Sequence, residues 1–496
     1  MFEAAELDHK VSKQDYAKEE PELRRALLQA QRDLGSQRRF PVLALIAGVE
    51  GAGKSETVHL LNEWLDPRFI EVNGFGLPTE EEAAHPPMWR FWRALPPKGR
   101  IGVFFGAWHT LPILQRVMGN LSAGDFAARM EEIMRLERML AQEGVLLLKY
   151  WFHLSKGAQK KRIKALEKDK ETSWKVTRYD RKLFEHYDDF IEVCEPFIRE
   201  TSTGEAPWTV VPGADERYRA LFVGRHLLGA LRARLDAPAP AAPAKPAESA
   251  PAAPGQINVI RALTLKQEMS REDYEKELAE AQGRLARATR HKRYGDISVI
   301  GVFEGNDAAG KGGAVRRLAA ALDPRAYRIV PVAAPTEEER AQPYLWRFWR
   351  HVPRPGRVTI FDRSWYGRVL VERVEGFAAE PDWRRAYGEI NDFEEQLVTH
   401  GAVVAKFWLA ISKDEQHRRF KDREATAFKQ HKITEEDWRN REKWDAYEAA
   451  VCEMVERTST HMAPWTLVEA DNKLHARVKV IRTLADAVEE GLKRAK

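Results

Sequence analysis

The chain has 496 residues, with 80 Lys and Arg against 75 Asp and Glu, a formal net charge of +5 at pH 7. That length is ample for two ordinary domains, and so small a positive excess points only weakly to an anionic partner, since most charge runs are solvated helix faces. Cys194 and Cys452 have no metal-ligand companions, the opening MFEAAELDHKVSKQDY lacks a signal-peptide core, and no segment is apolar and long enough to span a bilayer. A soluble cytoplasmic protein in a reducing compartment is expected, with neither membrane nor nucleic acid as partner.

Taken in chain order, VLALIA (42–47) reads as a first strand, followed by the Gly-rich GVEGAGKS. FIEVNGF (69–75), IGVFF (101–105), VLLLKYWFHL (145–154) and WTVV (208–211) read as four more strands. The stretch Asp236 to Gly255, DAPAPAAPAKPAESAPAAPG, has no apolar periodicity and reads as an extended spacer. The series then recurs. ISVIGVF (297–303) is an apolar run bounded by glycine, as expected of a strand buried on both faces. A Gly-rich loop and the helical GAVRRLAAAL (313–322) follow, then a strand in YRIVPVA (327–333) and a helix in PYLWRFWRHV (343–352). RVTIFD (357–362), AVVAKFWLAI (402–411) and WTLVEA (465–470) complete the strands, with a helix at 391–399. Strands alternating with helices predict an α/β fold of two tandem three-layer α/β/α domains with parallel sheets. Residues 1–235 form one domain, 236–255 the linker and 256–496 the other.

The recurrence is a duplication. Trp89-Arg90-Phe91-Trp92-Arg93 returns as Trp346-Arg347-Phe348-Trp349-Arg350, and Lys54 meets Lys311 at the same interval of 257 residues. Pro78-Thr79-Glu80 meets Pro335-Thr336-Glu337, and Pro207-Trp208-Thr209 meets Pro464-Trp465-Thr466. From about residue 42 to about residue 210 the copies align without a gap, a period too long for a solenoid. The repeated aromatics are most simply core. Arg347, after PTEEE at the sheet's functional edge, is an equal candidate for phosphate contact or for structure.

Each copy places a Gly-rich loop between its first strand and a helix, where backbone N–H groups and a lysine can cradle phosphate oxygens. The first copy satisfies G-x-x-x-x-G-K-[ST] with Gly48, Gly53, Lys54 and Ser55; the second has Gly312 in place of the hydroxyl. Pattern matching would therefore choose the first copy as the active one. Carboxylates argue the reverse. Asp307 lies in the second loop and Asp362 ends the third strand in IFDRSWYGR, and Mg²⁺ usually sits on one or two carboxylates plus substrate phosphates. In the first copy these positions are Glu50 and Phe105. Arg363, Ser364, Arg368 and Glu372 likewise become Gly106, Ala107, Leu111 and Gln115, and Arg423 becomes Leu166. The ligand-binding end of the first copy is stripped while its scaffold is kept.

GNDAAGKGG, PTEEE with YLWRFWRHVP, and FDRSWYGRVLVERVEGF closely resemble the family-2 polyphosphate kinases, across nearly all of 258–496 and, in eroded form, most of 1–235. The resemblance implies P-loop-type kinase domains, each with a helical lid segment, that use inorganic polyphosphate as phosphoryl donor. The tandem arrangement with an eroded first copy resembles the subgroup that phosphorylates AMP to ADP in the second copy. Asp307 and Asp362 would hold Mg²⁺, Lys311 would bridge donor and acceptor phosphoryl oxygens, and Arg363 and Arg423 would stabilise the transferring group. Gly305, Asn306, Ala308, Ala309, Gly310 and Gly312, with Thr336, Arg347, Arg368 and Glu372, would bind the phosphate-bearing substrates. The segment SKDEQHRRFKDREATAFKQHK resembles the family's lid and offers Arg418, Arg419, Lys421, Lys429 and Lys432 to a polyphosphate chain. ADP as main acceptor, an ATP-dependent nucleoside monophosphate kinase and a non-catalytic polyphosphate-binding regulator stay as alternatives. The first copy is expected to be a non-catalytic pseudo-dimer partner, and a homo-oligomer beyond that internal pair stays open.

Overall fold

Apolar runs bounded by glycine become the centre of each sheet. In a computed structural model, which describes residues 1–238, 258–426, 433 and 435–495, the first copy forms β1 (Val42–Gly48), β2 (Ile70–Gly74), β3 (Ile101–Phe105), β4 (Leu146–His153) and β5 (Trp208–Pro212). The second forms β6 (Ser298–Gly305), β7 (Tyr327–Pro331), β8 (Val358–Asp362), β9 (Ala402–Ala410) and β10 (Trp465–Glu469). The spacer expected at 236–255 lies, from residue 239 on, outside the described residues, as do Lys429 and Lys432. The chain divides into two compact units. One comprises Met1–Thr79, Arg90–Pro240 and Pro335–Trp346; the other comprises Glu80–Trp89, Ala241–Ala334 and Arg347–Lys496.

Both sheets are wholly parallel, in the orders β2-β3-β1-β4-β5 and β10-β9-β6-β8-β7. The connection leaving β1 runs to the β3 side, toward β2, and that leaving its other neighbour β4 runs the opposite way, toward β5; β6 and β9 repeat this, so the direction of the connections reverses beside β1 and β6. In an open parallel sheet the crevice at that switch point is where ligands bind. The buried strand β9 has no exposed residue, as expected where helices cover both faces. Along β1, Val42, Ala44 and Ile46 join one apolar cluster with Leu27, Trp64 and Leu227 from helices Lys13–Gln37, Lys54–Trp64 and Glu216–Leu235. Val299 and Phe303 of β6 do the same with Leu285, Leu318 and Leu484.

Helix limits differ from the pattern in three places. The WRFWR helix of the second copy runs only Trp346–Trp349, because prolines at 343 and 353 flank it. The helix expected at 391–399 begins at Glu380, with Pro381 in its first turn, where a missing N–H costs nothing. The loop helix starts at Lys311 rather than 313, capped by left-handed Gly310.

The repeated aromatics are core in both copies: Trp89, Trp92, Trp346 and Trp349 are each at most 6% exposed. Arg90 donates to the Gly76 carbonyl at 3.1 Å, and Arg347 donates to the equivalent Ala333 carbonyl at 3.1 Å. The string therefore pins the loop after the second strand in each copy. A buried ion pair recurs as faithfully. Lys149 donates to Glu137 and to the Thr201 carbonyl at 2.7 Å each, while Trp108 donates to Glu137 at 3.0 Å. Lys406 does the same with Glu394 and the Thr458 carbonyl, also at 2.7 Å, and Trp365 donates to Glu394 at 3.0 Å.

Candidate active site at the carboxyl edge of β6 and β8

β6 ends in Glu304-Gly305 and turns into the phosphate loop. Gly305 has φ +147°, and a Cβ there would lie 2.4 Å from the Leu409 carbonyl oxygen, so only glycine lets β6 leave the sheet this close to β9. Lys311, at the start of the helix, folds back to donate to the Gly305 carbonyl at 2.7 Å. Burial lowers its pKa from the usual lysine value, and the Asp307 charge opposes that shift.

Asp307 is held from three sides. Arg363 Nη2 lies 3.2 Å from Oδ1, Asn440 donates to Oδ2 at 3.0 Å, and Gln416 donates to the backbone carbonyl at 3.1 Å. The register Phe303↔Asp362 sets Asp362 at the same carboxyl edge, beside the loop. Two backbone features mark this edge as strained. Ala308 and Arg363 both have φ +64°, left-handed values that non-glycine residues rarely take. The first copy has Gly51 and Gly106 at these positions, at φ +75° and +79°. The same backbone is thus built twice, and only the second copy accepts the strain of side chains on it, as sites of function do.

The remaining expected residues fall into two groups. Gly305, Asn306, Ala308, Ala309, Gly310 and Gly312 form the loop and its helix start beside Asp307, Lys311, Asp362 and Arg363. Arg368 pairs with Glu372 at 2.8 Å one turn further on. Thr336, by contrast, caps the helix Glu337–Arg340, accepting from the Glu339 N–H at 3.2 Å. Arg347 serves the loop at Ala333 as above. Arg423 ends the lid helix Lys413–Glu424, partly exposed. Arg419 stands apart from the other lid cations. It is 2% exposed and donates to the carbonyls of Ala308, Ala309, Ala470 and Asp471, so it props the loop from beneath.

Sequence reading missed four groups here. Glu304, 6% exposed, accepts from Ser364 Oγ at 2.8 Å, and burial raises its pKa above the usual carboxylate value. Asn440 arrives from the helix Glu435–Glu442. Glu375, 4% exposed, takes Lys443 at 2.8 Å, Arg439 at 3.3 Å and the Tyr447 hydroxyl at 3.3 Å, tying that helix down. A signal was present: the first copy has Ala47, Leu183, Met118 and Phe190 where the second has Glu304, Asn440, Glu375 and Tyr447.

The first copy's loop is occupied by its own side chains. Lys54 donates to the Gly48 carbonyl and to Glu50 Oε1, both at 2.8 Å. An anion entering the loop would compete with Glu50 for that ammonium. Arg219, buried to 2% exposure, lies against Gly53, where an added Cβ would sit 2.1 Å from its guanidinium carbon. Among the described residues beyond its chain neighbours, no atom lies within 4 Å of the corresponding point at Gly310.

Among the described residues no group of three or more His, Cys, Asp or Glu side chains gathers as a metal cage. Asp307 and Asp362 stand at one sheet edge, and two carboxylates completed by substrate phosphates and water are the set Mg²⁺ would use, rather than a closed protein cage. No helix among the described residues is long and apolar enough to cross a membrane.

Comparison with known proteins agrees with this architecture. The family model for polyphosphate kinase 2 matches residues 10–237 and again 268–496. A polyphosphate:AMP phosphotransferase of Pseudomonas aeruginosa is 57% identical over 496 residues, covering 100% of both chains. One from Acinetobacter johnsonii is 38% identical over 447 residues, covering 89% of this chain and 90% of its own. A crystal structure from Pseudomonas aeruginosa described as a polyphosphate kinase 2 superposes with a TM-score of 0.90 at 54% identity, over 100% of both chains.

Proposed function

We propose that this chain, which belongs to the polyphosphate kinase 2 family, transfers a phosphoryl group from inorganic polyphosphate to AMP, forming ADP, in its second copy and with Mg²⁺. The observation that carries the reading is the match over the full length, eroded copy included, to a relative named for that reaction. The placement in the second copy rests on the Asp307–Arg363–Asn440 cluster, which the first copy replaces with Glu50, Gly106 and Leu183.

The terminal P–O bond of the polyphosphate breaks, a bond forms from that phosphorus to a phosphate oxygen of AMP, and the shortened chain keeps the bridging oxygen and its electron pair. Such transfer needs positioning and charge stabilisation far more than covalent chemistry. The loop N–H groups and Lys311 hold phosphate oxygens, and Arg363 faces the transferring group across Asp307. Asp307 and Asp362 would hold Mg²⁺, which supplies neutralisation of phosphate charge when bound. Arg418 and Lys421, on the lid helix, offer cations to the rest of the chain.

The test supplies purified protein and Mg²⁺ with polyphosphate or ATP as donor and AMP or ADP as acceptor, and follows nucleotides by chromatography. Polyphosphate with AMP should give ADP, with ATP unable to replace polyphosphate. Faster product from ATP, or from ADP as acceptor, overturns the donor or acceptor assignment respectively. Binding of polyphosphate without turnover would make the chain a binding protein.

Arg363→Gly separates chemistry from stability. Turnover should fall by roughly a thousandfold, as for other arginines that stabilise a transferring phosphoryl group. Stability should stay within about 1 kcal/mol, because relief of the left-handed backbone offsets the freer unfolded chain. Paired kinetics and denaturant melts check both halves of the statement.

A further inference from the structure

Glu304 is a buried carboxylate at the site to which the transfer chemistry above gives no role. It sits at the last buried position of β6, paired in register with Trp408, and accepts the Ser364 hydroxyl at 2.8 Å. Ser364 Oγ in turn accepts the Tyr366 N–H at 3.3 Å and caps the short turn Trp365–Arg368. One residue earlier, the Arg363 N–H donates to the Phe303 carbonyl at 3.0 Å. Two consecutive residues of the turn are thus stitched to two consecutive residues of β6, once by backbone and once by side chain. Arg363 lies inside that double stitch, at φ +64°, with its guanidinium on Asp307.

The first copy is an internal control. It keeps Trp108 for Trp365 and the whole Lys149–Glu137–Trp108 network, so the turn's packing is preserved. It loses both ends of the side-chain stitch together, with Ala47 for Glu304 and Ala107 for Ser364, along with the arginine between them, now Gly106. The fold therefore stands without the stitch, and the stitch is present where there is an arginine to aim.

We propose that Glu304 is a positioning residue for phosphoryl transfer, which through the Ser364 hydroxyl fixes the direction in which the left-handed Arg363 presents its guanidinium. The inference rests on the reading that the second copy is catalytic. A neutral acceptor at 304 meets the requirement, because Ser364 donates and the position only accepts. Misaiming a charge-stabilising group by about an ångström costs on the order of a hundredfold in rate.

The test uses the full chain with polyphosphate, AMP and Mg²⁺, and the variants E304A, E304Q, S364A and E304A/S364A. E304A and S364A should each lower kcat by roughly ten- to a hundredfold, with KM for both substrates near wild type and the melting temperature little changed. The double variant should be no slower than the worse single, since both act through one contact. E304Q should recover most of kcat and keep the wild-type pH profile. A pH profile that loses a limb in E304Q would make Glu304 an acid or base and overturn the proposal. Multiplying effects in the double variant, or E304A at wild-type kcat, overturn it too. So does a loss of activity in E304A that follows loss of folded protein. A wild-type protein silent with these substrates sinks the functional reading instead, which keeps the two failures distinct.

Discussion

Asp362→Asn should silence phosphoryl transfer, with kcat reduced by roughly a thousandfold or more, because a neutral amide replaces one of the two carboxylates proposed to hold Mg²⁺. Asparagine keeps the shape at the end of β8, and among the described residues the Asp362 carboxylate accepts no hydrogen bond that the change would break. The melting temperature should therefore hold. The matched control is Glu50→Gln in the first copy, whose carboxylate serves Lys54 at 2.8 Å. Turnover in that variant should equal wild type. An active Asp362→Asn, or a silent Glu50→Gln, would move the chemistry to the first copy.

Breaking the recurrent buried ion pair should have the largest effect on stability. Lys149 and Glu137 are 0% and 1% exposed at the side chain, Lys406 and Glu394 0% and 2%. Removing one partner of such a pair strands a charge and costs about 3–5 kcal/mol. Lys149→Met should cost more than Lys406→Met. Without Lys406, Glu394 keeps two donors, the Tyr366 hydroxyl at 2.6 Å and Trp365 at 3.0 Å. Without Lys149, Glu137 keeps Trp108 alone among the described residues, because the position of Tyr366 is His109, buried and with neither ring nitrogen hydrogen-bonded. Burial already raises the Glu137 pKa against the opposing lysine. With the lysine gone it rises further, so the folded state binds a proton the unfolded chain releases. The defect should then deepen as pH climbs through and above the carboxylate range, and shrink in acid. Calorimetry of the full chain at two pH values tests the ranking and the sign. Equal losses in the two variants, or a defect that grows on acidification, would count against this account.

Much of the scaffold was legible because burial on both faces leaves little freedom in the residues of a parallel strand. VLALIA and ISVIGVF could be little else once glycine closed them, and the 257-residue interval doubled every reading. Helix limits were less legible where a few residues form one turn between prolines, as at Trp346–Trp349. At the site, loop residues were readable because their order along the chain is their order in space. Asn440 was not, since it reaches Asp307 from 133 residues away through the packing of a lid helix. Glu304 was hidden for another reason. A lone carboxylate at the end of an apolar run looks like the first polar residue after a strand, and only the alanine in the other copy separates the two cases.

Arg219 has a consequence for how the two copies parted. It carries a contact that Arg419 makes in the second copy, since its Nη1 donates to Gly213 O at 2.9 Å, the counterpart of the Ala470 carbonyl. Meanwhile Arg162, the counterpart of Arg419, has turned to Glu56 at 3.0 Å. The first copy has thus changed which helix supports its loop. Restoring an aspartate at Phe105 would meet a lysine already claimed by Glu50, and restoring an arginine at Gly106 would bring a Cβ to 2.5 Å from the Phe75 carbonyl oxygen. Each of these single changes thus meets an obstacle that another residue of the first copy now supplies, so the second copy's loop support and its edge residues could be rebuilt there only together.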